Sequence, residues 1–160
     1  MTEVFFPDED TIKTYTSLIK SQGIDVSRNQ ISRCWIDTTI ADCSFGIAMY
    51  STGPHIEEKK LNGFILCRVD VNDPEVLWVD MVCASETSNV GLLLMQEAEN
   101  LATKNKTIRR IALFSLAEKK LVNWYTKQGF VKTSVKFLGI EPKSYFMMKP
   151  LYNYTNQKTV

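Results

Sequence analysis

The sequence predicts one α/β domain in which helices lie on both faces of a mixed β-sheet. Short apolar runs bounded by turn residues alternate along the chain with segments of helical periodicity. The most strongly periodic segment lies between two strands and supplies the crossover that a parallel strand pair needs. The 160 residues suit one well-packed domain, and no internal repeat or low-complexity linker interrupts them.

A strand or extended arm and two helices are predicted in the N-terminal quarter. Asp10 precedes a segment with apolar residues at helical spacing, and Gly23 follows where a left-handed helix cap is expected. Ser27 and Gln30 have the spacing of a capping box, which predicts the start of a second helix with one apolar face.

Three consecutive strands are predicted next, at residues 43–51, 61–71 and 76–82. The loop 53–60 holds glycine, proline and a charged run, so the first two strands are expected to form a hairpin. The turn signal Asn72-Asp73-Pro74 separates the second strand from the third. The third strand is too apolar for one of its faces to lie fully in water.

Helices and strands alternate in the C-terminal half. Helical periodicity between Gly91 and Ala102 predicts a long amphipathic helix, and a shorter helix is expected to end at Gly129. Strands are predicted at residues 108–116, 130–138 and 144–151. The domain is therefore expected to cover residues 1–151, with residues 152–160 as a polar, frayed tail.

Composition argues against several classes of function. A net charge of +1 produces no strong field toward nucleic acid. The apolar runs are far shorter than the roughly 20 residues that cross a bilayer. The cysteines form no CxxC pair, and His55, expected at the surface, is the sole histidine, so neither a zinc site nor a disulfide framework is expected. We expect a soluble protein of the cytoplasm or nucleus, with no metal, nucleic-acid or membrane partner and with cysteines that serve as small buried hydrophobes.

Two local segments connect the chain to a known family. Residues 86–91 read Glu-Thr-Ser-Asn-Val-Gly, and residues 121–131 contain Trp-Tyr-Thr-Lys-Gln-Gly-Phe. From about Val4 to Leu151 these segments and the element order resemble the GNAT superfamily of N-acetyltransferases. The family's phosphate loop reads Gln/Arg-x-x-Gly-x-Gly/Ala, of which only Gly91 is kept. The second segment is similar to the family's helix-to-strand motif, above all in the histone-acetylating branch.

The resemblance implies a GNAT fold, an α/β fold of the α+β type with a mixed, mostly antiparallel sheet of six to seven strands flanked by four helices. It also implies acetyl-CoA as co-substrate. The acceptor would be a primary amine, either a protein lysine or a small amine such as a polyamine, that attacks the thioester directly in a ternary complex. Pantetheine would lie between strands 76–82 and 108–116, in a monomer or a homodimer.

The phosphate loop also has a bottom-up explanation. A strand that ends in small polar residues and opens a helix presents unpaired N–H groups at a positive dipole end, where anions bind. Asn89 tolerates the left-handed conformation that the family's glycine supplies, whereas Glu86 repels a pyrophosphate unless it points into solvent. The resemblance implies that the coenzyme contacts Met81, Val82, Cys83, Thr87, Ser88, Asn89, Val90, Gly91, Ser115 and Glu118.

Glu75 and Tyr125 are the candidate catalytic residues. Glu75, predicted to begin the third strand, resembles the general base of the histone-acetylating branch, and its alternative is a solvated residue beside the turn. Tyr125 takes the place of the family's acid toward the thiolate, and its alternative is core packing with Trp124. Asp80 alternates to the opposite face from Glu75 and is expected to pair with a cation. A water chain in place of a side-chain base is also compatible with the family.

Three functions are compatible with these residues. The leading hypothesis is the acetyltransferase. The first alternative is a catalytically inactive GNAT-like module that binds CoA or a protein, which Glu86 and Asn89 favour. The second is an unrelated α/β interaction domain with helix 89–104 as a scaffold, which predicts no CoA binding. Arg109, Arg110 and Lys104 are alternative contacts for the coenzyme's 3′-phosphate.

Overall fold

The structure, a computed structural model, describes residues 2–21, 39–52, 59–84, 89–133 and 144–151. The elements in chain order are β1 Thr2–Phe5, α1 Glu9–Ser21, β2 Phe45–Thr52, β3 Lys59–Val69, β4 Val76–Ala84, α2 Val90–Lys104, β5 Arg110–Leu116, α3 Lys119–Lys127, β6 Val131–Thr133 and β7 Ser144–Pro150. Residues 39–42 are also helical.

The seven strands form one sheet in the order β1-β2-β3-β4-β5-β7-β6. β4 and β5 run parallel, and the pairs β1–β2, β2–β3, β5–β7 and β6–β7 are antiparallel. In the chain, α2 lies between the two parallel strands, as a crossover requires. The predicted α/β class with a mixed, mostly antiparallel sheet of six to seven strands is therefore confirmed. Four helices were expected, and the described residues contain three together with the helical segment 39–42.

Some predictions concern residues outside the described ranges. These are the helix that begins after Ser27, Cys34, the loop with His55, the residues Glu86, Thr87 and Ser88, the end of the strand 130–138 and the tail 152–160.

The first helix begins earlier than the sequence pattern predicts. Asp10 was expected to precede it, but α1 starts at Glu9 and Asp8 is its cap. The Asp8 carboxylate accepts the Thr11 N–H at 2.8 Å, and the backbone carbonyl oxygen of Asp8 accepts the Ile12 N–H at 2.9 Å. This hydrogen bonding to Thr11 lowers the pKa of the Asp8 carboxyl. Asp10 instead places a second acidic side chain in the first turn, near the positive end of the helix dipole.

The residues group into two compact units, one of residues 1–68 and 79–101 and the other of residues 69–78 and 102–160. In the first unit, β1, β2, β3 and the end of β4 enclose a cluster of buried side chains against which Ile12 of α1 packs. Its members include Phe5, Ile40, Phe64 and Leu66. Each large side chain removed from water in this way stabilises the fold by about 1.5–3 kcal/mol. The prediction of one domain over residues 1–151 stays a prediction.

The second unit is built around β5, which pairs with β4 on one side and β7 on the other. Leu77, Ile111, Leu113 and Met147 lie on one face of these strands and are buried. On the opposite face Trp78 stacks on Phe114, and Phe146 packs against both rings. Ladder pairing puts these three rings in neighbouring positions on adjacent strands.

Asp70 closes the turn between β3 and β4. Its Oδ1 atom accepts the backbone N–H groups of Asn72 at 2.8 Å and Asp73 at 3.2 Å. Its Oδ2 atom accepts the indole N–H of Trp78 at 2.8 Å. One carboxylate thus holds both the turn backbone and a side chain of the following strand, which explains why Asn72-Asp73-Pro74 is a turn.

Candidate functional site

The predicted phosphate loop leads into the first turn of α2. The Asn89 carbonyl oxygen accepts the Leu93 N–H at 3.0 Å, so Asn89 is the N-cap and the helix begins at Val90. The first N–H groups of an α-helix have no acceptor within the helix, and those of Val90 and Gly91 belong to this set. The helix has 15 residues, and its first turn carries no acidic side chain that would repel an anion.

The residues Met81, Val82 and Cys83 of β4 differ in what they can offer a coenzyme. Met81 is 3% exposed and Cys83 1% exposed, and both belong to the hydrophobic cluster of the first unit. Val82 points to the other side of the strand and is half-buried. Any contact of Met81 or Cys83 with a coenzyme must therefore use the main chain, because their side chains are committed to the core.

Asp80 forms an ion pair with Arg68 of β3, which confirms the expectation that it pairs with a cation. The bond is bidentate, with Arg68 Nε 3.0 Å from Oδ2 and Nη2 3.3 Å from Oδ1. Burial, with a smaller contribution from the Asp80 charge, raises the pKa of the Cys43 thiol to about 11. The same causes raise the pKa of the fully buried Cys67. The described cysteines, Cys43, Cys67 and Cys83, are buried free thiols, as predicted.

Glu75 lies one residue before β4, in the turn, and does not begin the strand as the sequence suggested. Its carbonyl oxygen accepts the N–H groups of Arg109 at 2.8 Å and Arg110 at 3.1 Å. β5 therefore begins at Arg110 and not, as the sequence predicted, at Ile108. Its carboxylate lies 3.6 Å from Arg109 Nε and 3.8 Å from Arg110 Nη2, and its side chain is 44% exposed. The carboxylate is thus reachable from solvent but shared with two guanidinium groups.

Arg110 has a closer partner in the same turn. Its Nη2 atom donates to Asp73 Oδ2 at 2.9 Å. Arg109 and Arg110, considered from the sequence as contacts for a 3′-phosphate, therefore both face carboxylates of the second unit. An anion at these arginines would have to compete with Glu75 and Asp73.

Tyr125 is 6% exposed, and its position follows from the end of α3. Gly129 has φ of +99°, its N–H donates to the Thr126 carbonyl, and the Phe130 N–H donates to the Tyr125 carbonyl. This is a Schellman motif, in which the residues at the positions of Tyr125 and Phe130 pack together. The two rings meet edge-on, 5.8 Å apart, and the Trp124 ring lies 4.9 Å from Tyr125. The ring of Tyr125 is therefore a packing element, whatever its hydroxyl does.

Ser115 and Glu118 lie at and after the end of β5. Ser115 is 1% exposed, and its hydroxyl donates to the Leu116 carbonyl at 3.0 Å. Glu118 is exposed and precedes α3, and its carbonyl oxygen accepts the Val122 N–H. Of these two, only Glu118 presents its side chain to solvent.

The predicted site residues are distributed over both units. Asn89, Val90, Gly91 and residues 81–83 belong to the first, and the remaining candidates belong to the second: Glu75, Ser115, Glu118 and Tyr125. In the part of the chain that the structure describes, no three His, Cys, Asp or Glu side chains are grouped to hold a metal ion. No helix among these residues is long and apolar enough to span a membrane.

Solved structures of GNAT acetyltransferases share this architecture. GCN5 from Tetrahymena matches with a TM-score of 0.67 and 15% identity over 96% of this chain and 98% of its own. An acyl-CoA N-acyltransferase from Pseudomonas aeruginosa has a TM-score of 0.67 and 16% identity over 93% of this chain and 99% of its own. An aminoglycoside 6′-acetyltransferase type Ii has a TM-score of 0.65 and 14% identity over 95% of this chain and 97% of its own. No family sequence model and no curated protein sequence matches the chain.

These likenesses cover nearly the whole of each chain at low sequence identity, and they establish the fold. The chain has the GNAT fold, as the resemblance of its two segments implied. An α/β domain with a different architecture, as the second alternative supposed, does not agree with these likenesses.

Proposed function

We propose that the chain is an acetyl-CoA-dependent N-acetyltransferase of the GNAT superfamily, acting on the primary amine of a protein lysine or of a small molecule such as a polyamine. The observation that carries the proposal is the junction of β4 and α2 within a GNAT fold. A long helix starts there at Val90, behind an asparagine cap and without acidic residues in its first turn. Such a helix end binds anions through its main chain whatever the side chains are.

In this proposal the main-chain N–H groups at residues 87–91 hold the pyrophosphate of CoA. The backbone at Met81, Val82 and Cys83 is proposed to contact the coenzyme, and Ser115 and Glu118 are candidate contacts that the family resemblance implies. Acetyl-CoA is the co-substrate and supplies the activated acyl group. Because the contribution of this chain is directed hydrogen bonding, loss of any single side chain of the loop is expected to matter less than a shift of its backbone.

The chemical step needs a base for the amine and an acid for the leaving group. The amine nitrogen loses a proton, attacks the thioester carbonyl carbon, and the carbon–sulfur bond breaks. Glu75 is the candidate base, and the 44% exposure of its side chain supports this role because an acceptor amine can reach it. Tyr125 is the candidate acid, and its hydroxyl would return a proton to the thiolate of CoA. The pairing of Glu75 with two arginines opposes its role as the base, and the burial of Tyr125 opposes its role as the acid.

The proposal is tested by calorimetric titration of CoA into the folded protein, followed by turnover of acetyl-CoA with lysine peptides, polyamines and aminoglycosides as acceptors. We expect saturable binding of CoA and acetyl transfer to at least one of these amines. Binding of CoA without turnover on any amine would identify the inactive GNAT-like module instead. A folded protein that does not bind CoA would remove the basis of both functions.

A further inference from the structure

Gly63 in β3 is the point at which the sheet makes room for the first turn of α2. A β-carbon built on Gly63 would lie 2.7 Å from Val90 Cγ1, 2.8 Å from the carbonyl oxygen of Cys83 and 3.1 Å from Leu94 Cδ1. Two of these distances are below the 3.0 Å that real β-carbons essentially never violate. One of the two atoms belongs to the backbone of β4, so a change of side-chain rotamer cannot relieve the contact. Glycine therefore permits the close approach of β3 to the end of β4 and to the Val90 side chain in the first turn of α2.

The strand is irregular at the same place. Met49 of β2 pairs with Gly63, and Tyr50 pairs with Leu61, so Asn62 is an extra residue in β3. A β-bulge of this kind bends its strand and increases the local twist. The bulge and the glycine are neighbours in sequence, and together they shape β3 under the end of β4 and the start of α2.

We propose that Gly63 is a positioning residue for CoA. It sets how closely the first turn of α2 approaches the carbonyl end of β4, and so where the N–H groups of Val90 and Gly91 lie. The inference rests on the proposed function, because the ligand whose phosphates these groups hold is CoA. Gly63 itself needs no contact with the ligand.

The displacement that a β-carbon at residue 63 would require is large compared with the range of lengths over which a hydrogen bond forms. Ordinary contact begins at 3.4 Å, so a β-carbon at residue 63 needs about 0.7 Å more room from the Val90 methyl group and about 0.6 Å more from the Cys83 carbonyl oxygen. The β-branched Val90 side chain is stiff at χ1 in a helix, so the shift of its methyl group is passed on to the backbone of the first turn. A displacement of that size along the bond would lengthen an N–H···O hydrogen bond of about 2.9 Å beyond the range in which such bonds form. Because the donors act together on one anion, we expect a loss of affinity of tenfold or more.

The test compares Gly63→Ala with Gly46→Ala, a matched change on the neighbouring strand. A β-carbon on Gly46 meets the ring of Phe5 in β1, so that variant strains the same unit through a contact that does not involve α2. Calorimetry with CoA, under conditions in which circular dichroism shows both variants folded, is expected to give a Kd raised at least tenfold for Gly63→Ala. Gly46→Ala should stay within twofold of the wild type. Equal affinities for the two variants would overturn the proposal.

Backbone amide chemical shifts of Val90 and Gly91 separate this inference from the proposed function. Both amides should shift in Gly63→Ala and stay in place in Gly46→Ala, with or without CoA. If the wild type does not bind CoA, the acetyltransferase proposal fails, and unmoved amides would overturn the positioning role as well. Should Gly63→Ala not fold, Val90→Ile crowds the same contact from the helix side, and wild-type CoA affinity in that variant would contradict the proposal.

Discussion

Replacement of Glu75 by glutamine separates the structural and catalytic roles of one carboxylate. The Glu75 carboxylate oxygens lie 3.6 Å from Arg109 Nε and 3.8 Å from Arg110 Nη2, distances longer than those of good hydrogen bonds. The three side chains are 35–63% exposed. Exposed pairs contribute about 0.2–1 kcal/mol each, and these belong at the low end. A total near 0.5 kcal/mol corresponds to a fall in Tm of about 1–2 °C for a chain of this length.

The catalytic role predicts a much larger effect on another observable. Removing a positioned general base lowers turnover by about 10²–10⁴-fold. We therefore expect Glu75→Gln to reduce kcat at pH 7 by about 100-fold or more while Tm changes by no more than a few degrees. The difference in kcat between the wild type and Glu75→Gln should become smaller as pH rises, because a larger fraction of the acceptor amine is then neutral without a general base.

Asp73→Asn is the control for this experiment. It weakens the 2.9 Å pair of Arg110 with Asp73 and keeps an oxygen that can accept the Glu75 N–H, so it perturbs the same turn while the Glu75 carboxylate stays in place. The assay is steady-state turnover of acetyl-CoA from pH 6 to 9, normalised to folded protein. If both variants lose the same small Tm increment and keep wild-type pH–rate profiles, Glu75 holds the turn to β5 and is not the base.

Four further expectations follow from the site and the core. Tyr125→Phe keeps the ring packing and should lower kcat at least tenfold with little change in the Kd of acetyl-CoA; unchanged turnover per folded molecule would leave only the packing role. Gly91→Val should weaken CoA binding in calorimetry with little change in the circular dichroism spectrum, and equal affinity would argue against an anion site at this helix start. Cys43, Cys67 and Cys83 should resist iodoacetamide at pH 8 until urea unfolds the chain, as peptide mass spectrometry would show. Because burial raises the pKa of Cys43 to about 11, the unfolded chain loses this proton first, so Tm should fall as pH rises above about 9, and a flat profile would contradict the thiol's burial.

Local chemistry made much of the fold predictable. The periodicity of α2, the apolar run of β4 and the glycine that ends α3 are signals within a few residues of one another, and the structure has each element close to its predicted bounds. The Schellman motif could be anticipated in the same way, since Gly129 and the following Phe130 are its sequence signature. Helix α1 was misplaced at its start because Asp8 and Asp10 are both good caps, and only the bond to Thr11 distinguishes them.

The environment of the candidate site was less predictable because it depends on residues distant in sequence. Arg110 meets Asp73 across 37 positions, and no local pattern links the two. The burial of Met81 and Cys83 likewise follows from strand pairing and not from their own chemistry. Gly63 offered a signal, since a glycine inside a strand pattern often marks a close backbone approach, but the approaching atoms could be identified only in three dimensions.

The hydrogen bonds of Asp70 have a consequence for how the chain folds. They join residues no more than eight positions apart, so the turn between β3 and β4 can close without first ordering a long loop. Hairpins of this kind form in about 1–10 μs, well before pairings that bridge distant parts of a sheet. The β3–β4 hairpin is thus expected to be an early nucleus on which later strands dock. Asp70→Ala should slow refolding more than it accelerates unfolding, since the contacts it removes would already exist in the transition state.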